Sequence, residues 1–357
     1  CYLPGGKITR ADLLNADALL TRTRTQCGAE LLDGTAVKFI ASATIGYDHI
    51  DTRYCESNGI YWTNAPGCNS ESVAQYLTSL LLNLAHRRGQ TLKGKTIGVI
   101  GVGNVGSKVA RNASALGMKV LLNDPPRARR EGSANFSELE EIKQEADFIT
   151  FHVPLNREGE DATFHAADKT FFNSLRKKPF FINSSRGEVC DNAALKQTLR
   201  EGGLQGAALD VWENEPVIDL ELMNLLDFAT PHIAGYSADG KSNGTAMSIL
   251  SLVRFFGLEK RFNRSALQSP PLPQLREIDL RPYVQAGETE TDLLYRAVTA
   301  SYDIVSDDLH LREKPDEFEK LRGNYPLRRE FDSFTITAPP VLDTILKTLR
   351  FKVREGA

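Results

Sequence analysis

Short apolar runs alternate with longer amphipathic stretches along most of the chain. Ala18 to Leu20, Val37 to Ala41 and Ile60 to Trp62 have strand length, and Ser70 to Arg87 follows with apolar residues at helical spacing. A second cycle begins at Lys95. It predicts strand Thr96 to Ile100, helix Val105 to Leu116, strand Lys119 to Leu122, helix Ser137 to Glu145 and strand Phe148 to Phe151. Strand Pro179 to Asn183, helix Asn192 to Glu201, strand Gln205 to Val211 and a short strand near Phe228 continue the cycle, with Gly202-Gly203 closing the helix before them. This alternation predicts parallel sheets covered by helices, in two tandem α/β units. After Thr230-Pro231 a helical pattern from Ser237 to Phe256 has no strand of its own and is expected to pack back on the first unit. Ser269-Pro270-Pro271-Leu272-Pro273 punctuates the chain like a linker, and the residues beyond it mix α and β patterns.

Composition narrows the class. Hydrophobic residues at 41% and charged residues at 25% fit a globular protein, and 43 basic against 46 acidic residues leave no broad basic field for nucleic acid or an anionic membrane. The most apolar stretch, Leu77 to Ala85, is interrupted by Thr78, Ser79 and Asn83 and falls short of a membrane span, so a soluble protein is expected. The start at Cys1 is neither a translation start nor a signal peptide, and the natural N-terminus is expected to lie upstream. Five scattered cysteines, Cys1, Cys27, Cys55, Cys68 and Cys190, form no CxxC pair; they predict thiols in a reducing cytoplasm, with no metal site.

Between a strand and a helix stands Gly101-Val102-Gly103-Asn104-Val105-Gly106. Its three glycines allow a tight turn, a close approach of bare backbone to a pyrophosphate and close helix packing, with the helix N-terminus aimed at the phosphates. The next strand ends at Asp124, where a carboxylate would hydrogen-bond the adenosine ribose and repel the extra phosphate of NADP. NAD is therefore the expected cofactor. Arg127, Arg129 and Arg130 follow closely and could accept that phosphate, but cover for the adenine or exposure to water is the preferred reading, because Asp124 would still have to be neutralised.

Arg186, Glu215 and His232 fall at strand ends or loops on the expected carboxyl edge of the second sheet, where such sheets bind ligands. Read singly, each has an ordinary alternative: a structural ion pair for Arg186, a solvated loop acid for Glu215, a packed or exposed side chain for His232.

Together, the glycine loop with Asp124, Asn183-Ser184-Ser185-Arg186-Gly187, Ala208-Leu209-Asp210-Val211 with Glu215-Pro216, and Thr230-Pro231-His232 resemble the D-2-hydroxyacid dehydrogenase family. His232 to Ser237, Gly240-Lys241, Gly244-Thr245, Ala65 to Asn69, Thr44 to Gly46, Pro154 to Arg157 and Tyr325 to Glu330 are similar to the branch that oxidises 4-phospho-D-erythronate on the route to pyridoxal 5'-phosphate. The resemblance implies two Rossmann-like parallel-sheet domains with a cleft between them, plus a small C-terminal α+β dimerisation domain. The expected limits are 1–90 with 232–262 for the substrate domain, 91–231 for the NAD-binding domain and 270–357 for the domain that joins a homodimer.

It also implies the site. His232 would be the acid/base, Glu215 would orient it and favour its protonated form, and Arg186 would bind the substrate carboxylate and polarise the C2 oxygen. Gly101, Gly103, Asn104, Val105, Gly106, Asp124, Val153, Ser184, Ser185, Arg186, Asp210 and Gly235 would contact NAD, and Arg22, Thr23, Thr44 and Tyr236 the phosphorylated 2-hydroxy acid. Charge alone adds Arg24 and Lys241 to the phosphate set, with solvated surface roles as an equal alternative for those two. The chain departs from the pattern in three places. An expected first strand with an acidic segment does not precede Cys1, Arg22-Thr23 stands where Arg-Ser is usual, and Val153 replaces a cofactor-contacting threonine. Two other readings stay open: a different specificity on this scaffold (phosphoglycerate, glyoxylate or hydroxypyruvate), and a non-enzymatic NAD-sensing protein of the same fold.

Overall fold

The computed structural model describes residues 3–267, 270–271, 273 and 276–355. Cys1 and the linker positions Ser269 and Leu272 lie outside them. The chain divides into two compact units, residues 1–70 with 236–271 and residues 71–235 with 272–357.

In the first unit, β1 (Ala18–Thr21), β2 (Phe39–Ser42) and β3 (Tyr61–Thr63) pair in parallel in the order β1-β2-β3. Helix Ala238–Phe255 packs on β2, with the Phe255 ring 5.1 Å from that of Phe39. It sits close because Gly244 faces backbone: a Cβ there would fall 2.4 Å from the Ala43 carbonyl oxygen.

The second unit is built on six parallel strands: β4 (Thr96–Ile100), β5 (Lys119–Asn123), β6 (Phe148–Phe151), β7 (Phe180–Asn183), β8 (Gly206–Leu209) and β9 (Phe228–Ala229). Their order is β5-β4-β6-β7-β8-β9. The chain moves outward from β4 to β5 and then returns to the other side of β4 for β6. The carboxyl ends of β4 and β6 therefore flank the reversal, where α/β sheets take their ligands.

A separate parallel sheet, β10 (Glu277–Asp279), β11 (Thr335–Ala338) and β12 (Lys352–Glu355), lies in the C-terminal segment. That segment nevertheless groups with the second unit. Leu311 and Phe318 belong to the same apolar cluster as Phe181 and Trp212, and Asp308 accepts the Ala229 N–H at the end of β9 at 2.7 Å.

The sequence reading ends the first domain at 90, whereas the break in the structure falls after Ser70. Helix Ser70–Arg87 carries buried polar side chains that find partners in the second unit. Ser72 Oγ donates to the Ala234 carbonyl at 2.9 Å, Gln75 to the Arg329 carbonyl at 3.0 Å and Ser79 to the Tyr302 carbonyl at 3.1 Å. Left unpaired in a buried position, each would cost about 1–3 kcal/mol, so these bonds decide where the helix belongs. Among the described residues no helix is long and apolar enough to cross a membrane.

Candidate active site

Because β4 to β9 run parallel, the segments that leave their carboxyl ends emerge at one edge. Gly101 leaves β4 with φ +86°, and a Cβ on it would meet the His152 carbonyl oxygen at 2.6 Å, so glycine is required where the loops after β4 and β6 touch. Gly106 opens helix Gly106–Ala115 against the Gly101 carbonyl oxygen, 1.9 Å from where its Cβ would stand. Gly103 has no heavy atom within 4 Å of a Cβ position; Gly103 and Asn104 are exposed, and Val105 is half-buried. That bare backbone before a helix N-terminus fits a pyrophosphate. Val153 is half-buried against the apolar core of this unit, and the Ser184 hydroxyl is buried with no hydrogen-bond partner, as a side chain awaiting a ligand atom would be.

Asp124 follows β5. Its Oδ2 accepts the Val102 N–H at 2.8 Å and its Oδ1 the Arg127 N–H at 3.0 Å, so it caps helix Pro125–Glu131 and ties the glycine loop to it. The arginines behind it are engaged by acids: Arg127 and Arg130 with Glu131, Arg129 with Asp161. The Arg127 guanidinium also lies over the Phe136 ring.

After β7, Asn183 Oδ1 accepts the Ser185 N–H at 3.1 Å and its hydroxyl at 2.8 Å, while Asn183 Nδ2 donates to the Arg186 carbonyl at 2.8 Å. The turn is thereby fixed, and Arg186 Nη1 donates to the Ser185 carbonyl. Gly187 then passes against Trp212, whose carbonyl oxygen lies 1.9 Å from the position of a Cβ. No larger residue lets these loops meet.

Glu215 and His232 do meet. His232 Nδ1 lies 2.8 Å from Glu215 Oε2, and Glu215 Oε1 accepts the Trp212 N–H at 2.9 Å. Arg322, from the C-terminal segment, has Nη1 3.9 Å from Oε2. Burial alone would raise the Glu215 carboxyl; His232, the Trp212 N–H and the Arg322 guanidinium outweigh it and hold the group below the ordinary carboxylate range. An ionised carboxylate only accepts, so Nδ1 donates and the neutral ring presents Nε2 as its acceptor. The histidine has φ +55°, uncommon for a side chain of this size. Buried Asp210 imposes it: Oδ1 accepts the Thr230 hydroxyl at 2.7 Å and the Ile233 N–H at 2.8 Å, Oδ2 accepts the Ala234 N–H at 2.9 Å, and the His232 N–H donates to the Asp210 carbonyl at 2.7 Å. Half-buried Gly235 follows this loop. The sequence reading singled out Asp210 for the nicotinamide and missed this scaffolding, along with Thr230, Tyr76, which bonds the Thr230 hydroxyl at 2.9 Å, and Arg322. None sits at a motif spacing that would mark it.

The residues expected to hold phosphate lie in the first unit. Arg22, Thr23 and Arg24 are exposed on the turn after β1. Thr44 Oγ1 donates to the Gly46 carbonyl at 2.9 Å and lies 2.6 Å from the Ser42 hydroxyl. Lys241 Nζ stands 4.9 Å from the centre of the Tyr236 ring, and burial, with the Arg22 charge beside it, lowers its affinity for a proton.

Residues 73–234 match the model of the D-isomer specific 2-hydroxyacid dehydrogenase NAD binding domain, and residues 271–349 match a domain of unknown function. An erythronate-4-phosphate dehydrogenase of Bacteroides thetaiotaomicron is 50% identical over 335 residues, 94% of this chain and 92% of its own. This chain belongs to the D-2-hydroxyacid dehydrogenase family. It is an NAD-dependent dehydrogenase acting on a hydroxy acid. The erythronate-4-phosphate dehydrogenase of Proteus mirabilis is 40% identical, covering 98% of this chain and 92% of its own. Among solved structures, D-lactate dehydrogenase from Aquifex aeolicus, complexed with NAD and lactic acid, aligns over 72% of this chain and 88% of its own, with a TM-score of 0.59 and 27% identity.

Proposed function

We propose that this member of the family oxidises 4-phospho-D-erythronate to 2-oxo-3-hydroxy-4-phosphobutanoate with NAD, in pyridoxal 5'-phosphate biosynthesis. The observation that carries the chemistry is the Glu215–His232 pair, 2.8 Å apart, on a loop that Asp210 holds in place. NAD supplies the hydride acceptor. His232 Nε2 takes the C2 hydroxyl proton as hydride leaves C2, and Glu215 stabilises the imidazolium that results. Arg186 pairs with the C1 carboxylate and withdraws charge from the C2 oxygen. In the reverse direction the same imidazolium returns the proton. Asp124 holds the adenosine ribose, the Gly101–Gly106 turn the pyrophosphate, and Val153, Ser184, Ser185, Asp210 and Gly235 complete the cofactor contacts. Arg22, Thr23, Thr44 and Tyr236 bind the phosphate end of the substrate, with Arg24 and Lys241 adding charge.

The activity of the erythronate-4-phosphate dehydrogenases that the chain resembles supports this substrate, as does the Arg22 charge felt by the half-buried Lys241 in the first unit. NADH production is the test, read across 4-phosphoerythronate, 3-phosphoglycerate, glycerate and lactate. The four-carbon phosphate should give the highest kcat/KM, by at least tenfold. Preference for an unphosphorylated acid would reassign the substrate.

We further infer a cytoplasmic homodimer joined through residues 270–357, with no nucleic acid or membrane partner. Leu309, Leu327 and Val341 in that segment are 50%, 54% and 60% exposed, apolar surface that a second copy would cover.

A further inference from the structure

The C-terminal segment reaches Glu215 of the acid/base pair at one point, and the loop that follows His232 at another, and the mechanism above uses neither. Arg322, in helix Phe318–Gly323, sets Nη1 3.9 Å from Glu215 Oε2, the oxygen that accepts the His232 Nδ1 proton. Its side chain is 14% exposed, it donates to Glu319 Oε1 at 2.8 Å, and Phe318, over whose ring it lies, belongs to the apolar cluster that contains Trp212. The guanidinium is thus held by packing as well as by charge. Arg328 is buried; it donates through Nη1 to the Ile233 carbonyl at 3.3 Å, through Nη2 to the Ser72 carbonyl at 2.6 Å and through Nε to Gln75 Oε1 at 2.9 Å. The Tyr302 ring lies 3.7 Å beneath it. Ile233 directly follows the histidine whose backbone is strained.

We propose that this segment is part of the enzyme's acid/base machinery: Arg322 is a positioning residue that fixes the Glu215 carboxylate against His232 and adds a positive charge to the pair, and Arg328 pins the loop that carries the histidine. The proposal gives the matched domain of unknown function a role in chemistry, and it rests on the assignment of His232 as acid/base.

A positive charge at Arg322 favours ionised Glu215 and opposes a second positive charge on the imidazole. Charged groups on the elements packed around the pair include Arg322, which reaches Glu215 and also bonds Glu319 on its own helix, Asp210 under the His232 loop, and buried Arg328, with Asp307 accepting the Tyr302 and Tyr325 hydroxyls. Removal of Arg322 makes the imidazole easier to protonate, whereas removal of Glu319 does the opposite.

The test is the pH profile of kcat/KM for NAD-dependent oxidation by the full chain, with the NAD Kd measured alongside. Arg322→Gln should move the acid limb up by about half a pH unit or more, a loss of about threefold on the acid side, with NAD affinity unchanged. Arg322→Lys should return the limb most of the way, and Glu319→Gln, at a half-exposed position, should move it down. A merely structural arginine would not produce opposite displacements from the two variants. If Arg322→Gln does not fold, Glu319→Gln decides alone. Limbs that stay at the wild-type position, while His232→Ala abolishes turnover, would overturn the role of Arg322 and leave the mechanism standing. Near-normal turnover of His232→Ala would instead remove the acid/base assignment, and this inference with it.

Discussion

The structural bonds of Asp124 can be separated from the cofactor selectivity proposed for it. This carboxylate caps helix Pro125–Glu131 and accepts the Val102 N–H; in the proposed mode of cofactor binding its negative charge would meet the 2'-phosphate of NADP. Asp124→Ser keeps a capping oxygen and removes the charge, so the helix survives while selectivity changes. NAD and NADP affinities, measured by titration, should converge by about 1–3 kcal/mol, on the scale of one charge-assisted hydrogen bond. An unchanged ratio would place the discrimination elsewhere. The position of Asp124 was legible because a fixed offset from the glycine loop marks it. Its bond to Val102 was not, and neither was the use of Asp210 to bend the His232 loop. Such contacts depend on which backbone N–H groups the fold leaves without partners, and residue spacing does not carry that.

The elements were more legible than their partners. Periodicity located helix Ser70–Arg87 at its observed limits and the six strands of the large sheet to within a few residues, since apolar spacing records which face is buried. It does not record what buries it. Ser72, Gln75 and Ser79 read as ordinary polar positions, yet they bond to Ala234, Arg329 and Tyr302. Glu71 joins the same helix to the rest of its unit, with Arg111 at 2.8 Å, Lys108 at 3.5 Å and Arg350 at 3.1 Å. Burial pushes its carboxyl up, but these three cations outweigh that and hold it below the ordinary range. A carboxyl lowered on folding contributes stability that is complete above its unfolded value, about 4.3, and is lost as pH falls through the folded value. Glu71→Gln should therefore lower stability by about 1–3 kcal/mol at pH 7, and its difference from wild type in thermal unfolding should shrink steadily below about pH 4.5. A difference that stays constant down to pH 3 would mean that the ion pairs contribute nothing.

At the scale of the whole chain, the glycine loop, the acid at the end of the next strand and the three strand-end residues were enough to identify the family, because their order follows from one parallel sheet. The bond between the C-terminal segment and that sheet was hidden, since Leu311, Phe318 and Arg322 come from a region whose pattern resembles a self-contained unit. The inferred homodimer predicts a sedimentation mass twice that of the chain at micromolar concentration; a monomer under those conditions would contradict it. The central claim concerns the reaction itself: His232, oriented by Glu215, moves the proton. The most direct measurement is the kcat of His232→Ala with NAD and 4-phosphoerythronate, with NAD affinity determined on the same preparation. Turnover should fall by about 10²-fold or more while the NAD Kd stays at its wild-type value, because the glycine loop and Asp124 are untouched. Turnover close to wild type would contradict the account and send the search for the base elsewhere.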